Sequence, residues 1–88
     1  MKADQTNDEE ALALGALGWT LGEDARAHRL VALTGLTPAG MRERLEDRRF
    51  LAEVLRFLEG HEPDLLGCAV ALNVRPASLV AARERLER

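Results

Sequence analysis

Sixteen Leu and fourteen Ala among 88 residues, no Ile or Tyr, and only Trp19, Phe50 and Phe57 as aromatics describe a small helical domain. So few β-branched and aromatic residues exclude a sandwich or barrel, and no run reaches the roughly 18 apolar residues of a membrane span. The net charge of −3 is unevenly spread, with one basic and six acidic groups in residues 1–24 against eleven basic and nine acidic in residues 25–88.

Chain order gives six predicted helices. Thr6…Glu9 and Asn7…Glu10 are overlapping capping patterns, in which a side-chain oxygen takes a free backbone N–H. A helix from about Asp8 to Leu21 follows, with Leu14, Leu17 and Leu21 on one face. Gly15 and Gly18 each lower helicity by roughly 1 kcal/mol relative to Ala, which implies close approach of another helix. Gly22 is expected to end the helix in the left-handed conformation. The second helix spans about Asp24 to Thr34, with Leu30, Val31 and Thr34 inward and Gly35 as its stop. Thr37 then caps a short helix beginning at Pro38, where a missing N–H costs nothing, and running to Leu45 or Glu46. Asp47 caps a fourth, Arg48 to Glu59, in which Phe50, Leu51, Val54, Leu55 and Leu58 recur at helical spacing. Gly60 ends it. Pro63 starts a fifth helix, Asp64 to Leu72, stopped by Asn73, a residue that tolerates the left-handed conformation. Pro76 starts the last, to about Glu87.

The fold class expected is therefore all-α: a compact bundle of five to six short helices, with residues 1–7 a flexible tail and 8–88 a single helical domain. One segment echoes another. Gly35-Leu36-Thr37-Pro38-Ala39-Gly40-Met41 aligns with Asn73-Val74-Arg75-Pro76-Ala77-Ser78-Leu79 at a spacing of 38. A duplicated helix–turn–helix unit reads this way, and so does independent reuse of ordinary capping chemistry.

The C-terminal copy, Leu65 to Leu86, has the steric frame of a DNA-binding helix-turn-helix: a small Ala69 at the crossing, Asn73 in the turn, and Leu72, Val74 and Leu79 to plug the second helix inward. Its chemistry is poor for that role, because such units present base-reading and phosphate-binding groups from the first turns of the second helix. Arg75, Ser78 and Arg83 are the candidate DNA contacts, and the neighbouring positions are Pro76, Ala77, Ala81 and Ala82. A nearly balanced charge over residues 25–88 also lacks the basic footprint that drives phosphate binding.

Catalytic and metal chemistry is sparse. His28 and His61 are 33 residues apart with no Cys or His at ligand spacing, so no zinc site is expected. Cys68 is the sole cysteine. It forms no internal disulfide and falls on an inner helix face as a small apolar residue. No glycine-rich phosphate loop is present. No catalytic residue, cofactor or metal is assigned. Arg42, Arg44, Arg48 and Arg49 form the densest basic cluster, interleaved with Glu43, Glu46 and Asp47. That pattern is either a solvated face with weak i,i+4 pairs or an edge that meets an acidic partner. Trp19 is either a core or boundary residue, near Phe50 or Phe57, or an exposed interface anchor of the kind enriched at hot spots.

Glu9-Glu10-Ala11, Leu21-Gly22-Glu23-Asp24, Ala32-Leu33-Thr34-Gly35-Leu36-Thr37-Pro38, Phe50-Leu51-Ala52-Glu53-Val54-Leu55-Arg56-Phe57-Leu58 and Asn73-Val74-Arg75-Pro76 together give the chain a family likeness. It resembles a family of short all-helical alphaproteobacterial proteins classed as a domain of unknown function, over about Glu9 to Arg85. Gly15, Gly18 and Gly40 depart from the bulkier or helix-favouring residues expected there. The resemblance implies a bacterial helical protein and carries no activity, cofactor or catalytic residue with it.

These readings lead to a non-catalytic protein that binds another protein, or itself, through an apolar groove, with Trp19, Arg42, Arg48 and Arg49 as candidate contacts. The alternative is a weak or auxiliary DNA binder using residues 65–86. A polar, acidic start without the basic and apolar regions of a signal peptide gives a cytoplasmic expectation, with no membrane partner and nucleic acid disfavoured.

Overall fold

Asp8 opens the first helix, accepting the Glu10 and Ala11 N–H groups on its carboxylate at 2.8 and 3.2 Å. The computed structural model describes residues 8–88. The tail assigned to residues 1–7, with its capping residues Thr6 and Asn7, lies outside them. Asp8 itself is the cap, not a first-turn residue, and Glu9 and Glu10 supply the negative charge that suits the helix dipole.

Six helices follow: α1 (Glu9–Leu21), α2 (Asp24–Thr34), α3 (Pro38–Arg42), α4 (Arg48–Glu59), α5 (Glu62–Leu72) and α6 (Pro76–Leu86). No strand occurs among the described residues. The capping chemistry expected at Thr37, Asp47, Gly35 and Asn73 is present. Thr37 accepts from the Gly40 N–H and Asp47 from the Arg49 N–H. Gly35 and Asn73 are the two described residues with positive φ, 73° and 59°.

Three local expectations are corrected. Gly22 ends α1 in the right-handed region, at φ −75° and ψ −8°, and the extended Glu23 leads directly into α2. α3 stops at Arg42; the Glu43 N–H still reaches the Ala39 carbonyl, and the Arg44 N–H closes a tighter turn onto the Met41 carbonyl. Glu62 rather than Asp64 begins α5, with Pro63 in its first turn.

α6 runs between α4 and α1, which also pack on each other; α5 closes one side. The core so formed holds Leu55, Leu58, Leu79, Leu30, Met41 and Val54, all essentially without solvent contact. α1 reaches it through small residues, Ala13 and Ala16, beside Leu12 and Leu17. The face expected for α1 is rotated. Leu17 is buried, but Leu14 is 40% exposed.

The echo extends far beyond seven residues. Adding 38 to the start and end of α1 gives 47 and 59, against the observed 48 and 59 of α4; the same shift takes α2 onto α5 and the start of α3 onto that of α6. Gly22 and Gly60 share one conformation, Gly35 and Asn73 another. Met41 and Leu79 are both buried. The chain is two helical triplets built on one plan, the first cut short because α3 spans five residues where α6 spans eleven.

Candidate functional site

α4 is strongly amphipathic. Its inner face carries Phe50, Leu51, Val54, Leu55 and Leu58, and its outer face Arg49, Glu53 and Arg56, all exposed. The residues at the same places in α1 are Ala11, Gly15 and Gly18. These three charged positions of one helix are thus Ala or Gly in the other, and no charged residue interrupts Ala11 to Gly22. A helix apolar all round normally belongs inside something larger, yet Ala11, Leu14 and Gly18 face solvent.

The two glycines differ. A Cβ at Gly15 would lie 3.2 Å from Leu72 Cδ2, so this glycine lets α5 approach, as expected from the sequence. A Cβ at Gly18 would meet nothing within 4 Å, so close helix packing inside the molecule does not account for it. Gly18 instead opens onto a groove of about 240 Å³, walled by Leu14, Leu17 and Leu21 of α1 and by Met41 and Leu45 beyond. The groove exists because α3 ends early: α6 covers α4 along its length, and α3 does not do so for α1. Its charged edge is Arg42, which has no ion pair among the described residues.

Trp19, the other candidate on α1, is half-buried at the boundary of the core. Its ring lies between the Arg26 guanidinium, 3.7 Å from the ring centroid, and Gly67 of α5, where a Cβ would stand 3.1 Å from Cζ2. Arg26 also donates to the Trp19 carbonyl at 2.7 Å and pairs with Glu23 at 3.3 Å. The ring is a boundary clamp between α1, α2 and α5, with the cation over its face adding about 0.5–1 kcal/mol.

Arg48 and Arg49 start α4 and do not join Arg42. Arg48 reaches Glu10 at 3.2 Å and the Arg85 carbonyl at 2.9 Å, tying α4 to α1 and α6. Both line a second cleft between α4 and α6, to which Arg56 and Arg88 also contribute. These last two were not singled out from the sequence, because only the packing of α6 on α4 brings positions 49 and 88 to one cleft.

The α5–turn–α6 corner has the expected form, with its helices bent by 99° and the Val74 N–H closing onto the Ala69 carbonyl. Arg75 is exposed at the start of α6 and Ser78 is half-buried. The Arg83 guanidinium is held in two contacts by Glu59, at 2.6 and 3.1 Å, and by Glu87 at 2.9 Å, which raise its pKa. α6 packs inward through Leu79, Ala82 and Leu86.

His28 and His61 are exposed. Cys68 is buried, and loss of solvent, with a smaller contribution from Asp64, pushes its thiol up to about 11 against an opposing pull from Arg26. It stays protonated at neutral pH. No group of three metal-ligating side chains occurs among the described residues, and no single helix there is long and apolar enough to cross a membrane.

A protein-family model described as "Protein of unknown function (DUF3572)" matches residues 6–88. The chain belongs to this family. The DUF3572 match spans both triplets, so the shared plan and the apolar α1 face lie within the matched region. Curated proteins and solved structures give no match to this DUF3572 chain.

Proposed function

We propose that this DUF3572 protein is a non-catalytic interaction module that receives a helix of a partner protein in the groove between α1 and α3. The observation that carries the reading is Gly18. A glycine inside a helix costs roughly 1 kcal/mol relative to Ala, and the space above this one is open. Close approach of a second backbone is the physical use of such a position. Leu14, at 40% exposure one turn away, supplies the adjoining apolar contact. The chemistry of the occupant follows from the lining: small and apolar residues against Gly18 and Leu14, and a carboxylate for the unpaired Arg42 at the edge.

A photoreactive phenylalanine analogue in place of Leu14 tests this, with Ala32, exposed on α2, as the control position. Cross-linking in cells is expected to give one discrete heavier adduct from position 14 and none above background from 32. Equal yields from both positions, or none from either, contradict the reading. An adduct of twice the chain mass would replace the foreign helix by a second copy.

DNA binding through α5 and α6 is the weaker reading, since the bend angle favours it while Arg83 is engaged within the protein. Affinity for duplex DNA at low salt, falling steeply as salt rises, would restore it.

A further inference from the structure

A second surface lies on α4, away from the α1 groove. The cleft between the outer face of α4 and the end of α6 has a volume of about 620 Å³, within the range of ligand sites. Its floor is apolar and buried, made by Ala52 and Leu86 at 4% and 3% exposure. Four arginines surround it, Arg48, Arg49, Arg56 and Arg88, against two carboxylates, Glu53 and Glu87. The lining therefore carries a balance of +2 on a chain of net −3.

The four cations are not equivalent. Arg48 is engaged by Glu10 and by the Arg85 carbonyl, and Arg56 pairs with Glu87 at 2.7 Å. Arg49 and Arg88 have no acidic partner among the described residues. Engaged arginines hold the walls in place, and the two unpaired ones offer forked N–H donors that match carboxylate geometry.

We propose that this cleft binds an acidic segment of a protein, an apolar side chain resting on Ala52 and Leu86 while flanking carboxylates pair with Arg49 and Arg88. Charge complementarity selects the acid, and the floor selects a peptide. A phosphate backbone has no apolar group for that floor, and its regular negative charge would meet Glu53 and Glu87.

The test uses the full chain and a fluorescein-labelled nonapeptide of three Glu-Glu-Leu repeats, read by anisotropy at about 50 mM salt, where the Debye length is over 10 Å. Saturable binding is expected, weakened several-fold at about 300 mM salt. Arg49→Glu and Arg88→Glu, both at exposed positions, are each expected to weaken it about tenfold, equivalent to 1.4 kcal/mol, with far-UV circular dichroism unchanged. Glu53→Gln is expected to tighten it, because one repelling charge leaves the cleft. No saturable binding by the native chain overturns the proposal, as does indifference to both arginine substitutions. Tighter binding of a duplex DNA of equal charge at the same salt overturns it in favour of phosphate. Failure here leaves the α1 groove untouched, since its cross-link at position 14 is an independent readout.

Discussion

α1 and α4 occupy the same place in two triplets of one plan, and they present opposite chemistry to their surroundings. α4 faces water with Arg49, Glu53 and Arg56; at the same places α1 has Ala11 and Gly18, open to solvent, and Gly15, which lies against Leu72 of α5. Inside, α1 again has the smaller side chains, as Ala13 and Ala16 stand where α4 has Leu51 and Val54. The backbone plan therefore comes from what the triplets share: a right-handed glycine exit, a left-handed stop, and a proline at the first helical position. What each triplet touches comes from what they do not share. A charged face is at ease in water and recruits partners through salt-sensitive attraction. A bare apolar face containing an unsupported glycine is not.

The largest effect expected from breaking this comparison is in the core. Leu51→Ala should destabilise the fold by about 2–4 kcal/mol, since a buried leucine leaves a cavity. The reciprocal Ala13→Leu should cost about 1–3 kcal/mol by overpacking a position without solvent contact. Urea denaturation followed by circular dichroism measures both. If Ala13→Leu were neutral, α1 would not be closely packed at its small residues.

Next is the ion pair that fixes α6 onto α4 where the first triplet has apolar residues. Arg83 and Glu59 correspond to Leu45 and Leu21 by the 38-residue shift. Glu59→Gln should lower stability by about 1–2 kcal/mol, in the range of hydrogen bonds to charged groups, and urea titration checks it.

Smaller again is the effect at the glycines, which should separate cleanly. Gly18→Ala should stabilise by up to about 1 kcal/mol, with Trp emission unchanged. Gly67→Ala should gain none of this, because its methyl displaces the Trp19 ring from Arg26; a shifted Trp emission maximum is its signature.

The smallest effect is confined to alkaline pH. Cys68 is expected to react with iodoacetamide at pH 8 far more slowly in the folded chain than in urea, as burial holds the thiol near 11 against an ordinary 9.0. Between these values the unfolded chain has lost a proton that the folded chain keeps. Stability should thus fall as pH rises above about 9, and Cys68→Ala should remove that part of the slope.

Element positions were legible in the sequence wherever a stop or cap is chemically specific: Asp47, Thr37 with Pro38, Gly35 and Asn73. Within α4 the buried face was also legible, because its polar residues leave one rotation of the helix about its axis. α1 has no such polar face, so periodicity selected Leu14 while packing buried Leu12, Ala13 and Ala16. Asp8 was passed over as a cap since three adjacent residues offered equivalent oxygens. Most of the shared plan was hidden for a related reason. Outside the turns the two triplets differ at the very positions that face outward, and only the helix boundaries reveal that they correspond. Arg48 and Arg49 were visible as a basic run, but their separation from Arg42 and union with Arg56 and Arg88 depend on the packing of α6 on α4.

The central claim is that the outer face of α1 is an apolar contact surface at the positions where α4 carries charge. Gly18→Arg gives α1 the residue that α4 carries at the equivalent position, where a side chain has open space. The decisive measurement is the yield of cross-linked adduct from the photoreactive residue at position 14 in this background, taken with the thermal midpoint. The account predicts an unchanged or higher midpoint, Arg being the better helix former, and loss of the adduct. An adduct at full yield in the folded variant would contradict it.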